Sequence, residues 1–147
     1  MKLPKDFDYY LKSRIIRKIT PDTERAKFLE EESARAKKAL DNRLKRENVD
    51  DLNANSIVKE CYDILMSLIR AKLLNKGYYS SGSFAHEAEL SFLIELNFSE
   101  NDIGFMNELR YLRNGVIYYG KILDKEYCEK VLEFLDRTYK ELIKGRR

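Results

Sequence analysis

The chain has no tryptophan and no glutamine, and it holds only one histidine, two cysteines, two prolines and six glycines in 147 residues. Each scarcity excludes something. Cys61 and Cys128 lie far apart in helical patterns and belong to no metal-ligand or redox spacing, so they read as small core residues. A lone His86 provides no histidine-based metal set, and neither a metal nor a cofactor is expected. There is no phosphate-cradling glycine loop and no Ser-His-Asp order. No apolar run approaches the length of a membrane span; residues 64–69, ILMSLI, are among the longest. The opening MKLPKDFDYY has no apolar signal core, so a cytoplasmic protein with no membrane partner is expected.

What is present is charge and helical periodicity. Charged residues make up 36% of the chain and apolar ones 44%, a globular composition with a heavily charged exterior. The net charge of +3 is too small to argue for nucleic acid, but it is unevenly placed. Residues 1–20 carry Lys2, Lys5, Lys12, Arg14, Arg17 and Lys18 against Asp6 and Asp8, and Lys144, Arg146 and Arg147 end the chain. Such ends are either phosphate contacts or merely solvated termini, the second being favoured. The Lys and Glu bias is compatible with a heat-adapted source.

The few breakers fall between long periodic segments. Residues 1–20 form a basic N-terminal segment with a short helix from about Phe7, and 21–147 form the main domain. Thr20-Pro21 reads as a helix start, Thr as cap and Pro in the first position. That helix runs to about Asn48 through Ala26, Leu29, Ala36, Leu40 and Leu44. A second, from about Ser56 to Asn75, buries Ile57, Cys61, Ile64, Leu65, Leu68 and Ile69 and stops at Gly77. Ser83 is placed to cap a third, Ser99 with Asp102 a fourth, and Asp124 a fifth. No strand hairpin is evident. Short connections make neighbours antiparallel, so the expected fold is all-α, an up-and-down bundle of about five helices.

The stretch with most chemistry is LRYLRNGVIYYGK, residues 109–121. Arg113 stands among Leu109, Leu112, Val116 and Ile117, a costly setting for a permanent charge without a partner. If the helix loosens at Gly115 or ends near Gly120, the Arg113 guanidinium, the Asn114 amide and the Tyr118 hydroxyl can converge on one cleft.

The order of KECYDILMSLIRAKLLNKGYY, the His-bearing SFAHEAELSFL and LRYLRNGVIYYG resembles the HEPN domain family over roughly residues 21–143. The resemblance implies a HEPN-like bundle that forms a homodimer. In nuclease members an Arg, a polar residue and a later His face their counterparts across the dimer to cleave RNA. Many members are paired with an MNT-type nucleotidyltransferase as toxin and antitoxin. Arg113 and Asn114 match the first half of that motif, but position 118 is Tyr where the nucleases have His. A phenol with an ordinary pKa near 10 is a poor proton shuttle at neutral pH. The tyrosine that follows the family His in some toxins would fall on Gly120, so Tyr118 and Tyr119 are only its neighbours.

The resemblance therefore implies RNA or nucleotide binding by Arg110, Arg113, Asn114, Tyr118 and Tyr119 at a dimer cleft, with cleavage weakened or lost. Two alternatives stay open. One is a metal-independent endoribonuclease using Arg113 with Tyr118 or His86; the other is a non-catalytic dimerisation module. Each residue also has a plainer role. Arg113 competes as an ion pair with Glu60, Asp63 or Glu108, and Arg110 as a pair with Glu108 or Asp102. Asn114 competes as a helix-end residue, Tyr118 and Tyr119 as packing, and His86 as an exposed or capping side chain.

Overall fold

The computed structural model describes residues 3–118 and 122–144, the side chains of 116–118 excepted. Six helices and one two-stranded ribbon make up the described chain, an all-α bundle with a small β appendage. They are α1 (Phe7–Lys12), β1 (Ile16–Lys18), α2 (Thr23–Arg46), α3 (Ala54–Lys76), β2 (Tyr78–Ser80), α4 (Ala85–Glu95), α5 (Glu100–Tyr118) and α6 (Lys125–Lys144). No helix is long and apolar enough to cross a membrane, among the described residues.

Helix α3 is the axis. Ile57, Cys61, Ile64, Leu65, Leu68 and Ile69 are all buried, as their spacing predicts, and α2, α4, α5 and α6 pack around them. Ser33 of early α2 donates to the Ile64 carbonyl at 2.9 Å, while Arg43 of late α2 reaches Ser56 and Glu60 of early α3. The two helices therefore run antiparallel. The same holds for α5 and α6, where Asp102 meets Arg137, Phe105 meets Phe134 edge-on and Glu108 meets Tyr127.

Caps at Ser99 and Asp124 are as expected, accepting from the amides of Asp102 and Tyr127 at 3.1 and 2.9 Å. The start of α2 differs. Asp22, not Thr20, accepts from the Arg25 amide, because residues 19–22 are bound to the end of α3 instead. Ile19 donates to the Gly77 carbonyl and Asp22 to that of Leu74. Helix α4 begins after Phe84 without a side-chain cap, so Ser83 does not serve. In α2 only Ala26, Ser33 and Leu40 are fully buried; Ala36 is exposed over a shallow groove toward α3.

The N-terminal segment departs most from expectation. Its helix stops at Lys12, Arg14 takes a positive φ of 64°, and Ile16–Lys18 pairs antiparallel with Tyr78–Ser80, Arg17 opposite Tyr79. Phe7, Tyr10 and Ile16 then share a small core with Leu73, Ala88 and Phe92.

Gly77 makes this docking possible. It ends α3 at φ 86°, and a Cβ there would lie 2.7 Å from the Ile19 carbonyl oxygen. Gly77→Ala is expected to destabilise the fold by ~1–3 kcal/mol through left-handed strain and that clash. Urea unfolding monitored by circular dichroism checks it; an unchanged midpoint would remove Gly77 from this role.

Candidate functional site

Arginines on α3 and α5 meet carboxylates from neighbouring helices along the α3–α4–α5 seam. Arg113 forms a fork with Asp63 of α3, Nε to Oδ1 at 3.0 Å and Nη2 to Oδ2 at 3.1 Å. Asp63 is one of the three carboxylates open to it by sequence. The Asp63 side chain is 56% exposed and that of Arg113 22%, so this is a rim pair worth roughly 0–1 kcal/mol. The third nitrogen, Nη1, is buried and has no acceptor among the described residues.

Arg110, one turn earlier, looks elsewhere. Its Nε donates to Asn107 at 3.0 Å and its Nη2 reaches Glu87 of α4 at 3.4 Å, with the guanidinium over the Tyr111 ring. Neither Glu108 nor Asp102 is its partner. Glu108 accepts from the Tyr127 hydroxyl, and Asp102 forks with Arg137. Glu87 also accepts from the Tyr10 hydroxyl at 2.8 Å, which ties the N-terminal segment to this seam.

Arg70 holds the most enclosed carboxylate. Glu89 is 2% exposed and takes two bonds from Arg70, at 2.8 and 2.9 Å, and one from the Ser80 hydroxyl at 2.6 Å. These bonds hold the Arg70 guanidinium above its usual pKa, against the opposing effect of burial. Beneath the seam lies Tyr62, 2% exposed, its hydroxyl without a hydrogen-bond partner among the described residues. Burial raises its pKa above the ordinary tyrosine value.

The other expected site residues are not gathered here. Helix α5 runs without interruption through Gly115 to Tyr118, so the loosening that would let Arg113, Asn114 and Tyr118 converge does not occur before 118. On a regular helix positions 113 and 118 are about 140° apart around the axis. Asn114 is exposed on α5, inside the helix rather than at its end. The Tyr118 side chain and all of Tyr119 and Gly120 lie outside the described residues. His86 is exposed in the first turn of α4, its ring 6.4 Å from that of Tyr62. No group of three or more potential metal ligands occurs among the described residues.

Sequence reading passed over Glu87, Glu89, Asn107 and Arg70. The signal was available for three of them: Glu87 and Glu89 interrupt the apolar AHEAELSFLIE, and Arg70 follows LMSLI on a wide apolar stripe. No family model, curated protein or solved structure matches the chain.

Two predictions follow from the buried polar groups. Glu89→Gln keeps the shape but removes the charge paired with Arg70, whose side chain is 32% exposed, and is expected to cost ~1–2 kcal/mol in urea unfolding. A loss under 0.5 kcal/mol would demote the pair to a surface contact. The second concerns alkali. Burial raises the pKa of Cys61, Tyr10, Tyr62 and Tyr127, and carries Cys128 up to about 11. The unfolded chain ionises these groups first. Their contribution is therefore complete below about pH 8.5 and lost as pH rises through the folded values. Thermal midpoints should fall steadily from about pH 9 upward, which scans across buffered alkaline samples will read.

Proposed function

We propose that the chain is a HEPN-like bundle that binds RNA or a nucleotide through the Arg113 side of α5 without cleaving it. One observation carries the reading: Arg113 is oriented at two nitrogens by Asp63 at the rim of the seam, where the half-exposed fork can be shared with an incoming anion. A phosphate oxygen is a natural partner for such a preoriented guanidinium. Arg110, fixed by Asn107 and Glu87, adds a second cation one turn away on the same helix. Cleavage is disfavoured because position 118 is Tyr where the family's nucleases have His, and a phenol with an ordinary pKa near 10 is a poor proton shuttle at neutral pH. Homodimer formation around this cleft, and pairing with an MNT-type nucleotidyltransferase as a toxin–antitoxin relative, belong to the same proposal.

The fork itself favours a second reading, a non-catalytic interaction module in which Arg113 braces α5 against α3. Asp63→Asn separates the two. In a phosphate site it frees the guanidinium, so RNA binding holds or tightens, while Arg113→Ala weakens it about tenfold. In a brace both changes lower the melting temperature and neither changes RNA binding. A denaturing-gel time course with the unmodified protein, Arg113→Ala and Tyr118→His runs alongside. No cleavage by the unmodified protein is expected. Cleavage that disappears in Arg113→Ala would replace the binding reading with an active endoribonuclease.

A further inference from the structure

The cations of this protein fall into two kinds. Arg43, Arg70, Arg110, Arg113 and Arg137 are each held by at least one carboxylate. Arg14, Arg17, Lys18 and Arg25 are exposed and form no ion pair among the described residues. The first three lie in the turn and strand leading through β1, and the fourth on the first turn of α2.

The ribbon gives this group a definite geometry. Arg17 and Tyr79 are directly opposed across the β1–β2 pair, so their side chains share a face. The Arg17 guanidinium carbon lies 5.7 Å from the centre of the Tyr79 ring, and that of Arg25 lies 5.9 Å from the same centre. Two like charges are thus gathered over one half-buried ring. The nearest acidic residues in sequence, Asp22 and Glu24, do not form ion pairs with them, and Asp22 is occupied with the Arg25 backbone amide. Arg14 holds its cation at a positive φ, where a glycine would sit without strain.

We infer that the face formed by β1, β2 and the first turn of α2 is a docking surface for single-stranded RNA, with Arg17 and Arg25 on adjacent phosphates and Tyr79 beneath a base. The gathered positive charge repels itself and is relieved by a polyanion, and release of that polyanion's counterions drives the contact. A guanidinium plane and an aromatic ring are also the two surfaces on which an unpaired base stacks, an arrangement that duplex strands with stacked bases cannot use. The surface stands on its own observations; only the choice of RNA over DNA rests on the reading of the α5 site.

Fluorescence anisotropy with a short labelled oligouridylate tests this at several salt concentrations. The unmodified full chain is compared with Arg17→Gln/Arg25→Gln, Tyr79→Phe, Tyr79→Leu and Arg113→Ala, each first shown to melt as a folded protein. The paired glutamine substitutions are expected to weaken binding about tenfold or more and to flatten the log–log salt slope by about 1.4, or 0.7 for each lost phosphate contact. Tyr79→Phe keeps the ring and should bind as the unmodified protein, whereas Tyr79→Leu should bind several times more weakly.

Unchanged binding and slope in the paired variant would overturn the proposal. Inorganic polyphosphate competing as well as RNA at equal charge would also overturn it, as would retention on anionic phosphatidylserine vesicles without RNA binding. Tighter binding of the equivalent DNA would overturn the choice of RNA. Failure of the α5 reading has a different signature: Arg113→Ala binds as the unmodified protein while the ribbon variants still lose affinity.

Discussion

Helix α3 has to be enclosed on nearly every side, and most of the architecture follows from that requirement. Its buried set runs from Ala54 to Leu74 with hardly a turn free of apolar side chains. One helix cannot cover such a surface, so α2, α4, α5 and α6 surround it. The least enclosed stripe carries Glu60, Asp63, Ser67 and Arg70 at helical spacing. These are the positions where the chain places polar groups on its central helix, although one carboxylate oxygen of Glu60 is buried there without a hydrogen-bond partner among the described residues. Asp63 and Arg70 accordingly become the α3 halves of cross-helix pairs with α5 and α4.

Those pairs differ in what they do for the fold. Glu89 is enclosed and triply bonded, so removing one partner leaves a charge without water. The Arg113–Asp63 fork lies at the rim, where its Coulombic gain is screened and small. Its geometry is nevertheless specific, because a bidentate guanidinium has little freedom to turn. A weak but directional contact is well suited to orienting a binding group, since a ligand can share the arginine without unfolding anything.

The helices were legible because their signals are local. Apolar spacing located α3 and α6, and Ser99 and Asp124 announced their own helix starts. Arg113 stood out as a charge set among leucines, and its plainer partner was one of the three carboxylates within reach of sequence reasoning. The ribbon was not legible: two three-residue strands separated by about sixty residues have no period to read, and the Thr20-Pro21 start was displaced by the same long-range docking. Arg110 shows the same limit. Its near neighbours Glu108 and Asp102 were the local candidates, yet tertiary packing supplied both with other arginine or tyrosine partners and turned Arg110 to Glu87.

The two basic surfaces also differ in how a polyanion would meet them. At α5 each guanidinium already faces a carboxylate, so the local field is nearly neutral and an incoming phosphate gains orientation more than attraction. At the ribbon Arg14, Arg17, Lys18 and Arg25 have no such screen, and the field there acts at a distance of about one Debye length, ~8 Å at physiological salt. A ligand drawn by the ribbon and positioned by α5 would use each for what its electrostatics allow. The Tyr10 hydroxyl on Glu87 connects them physically, since it joins the N-terminal segment that supplies the ribbon to the carboxylate that holds Arg110.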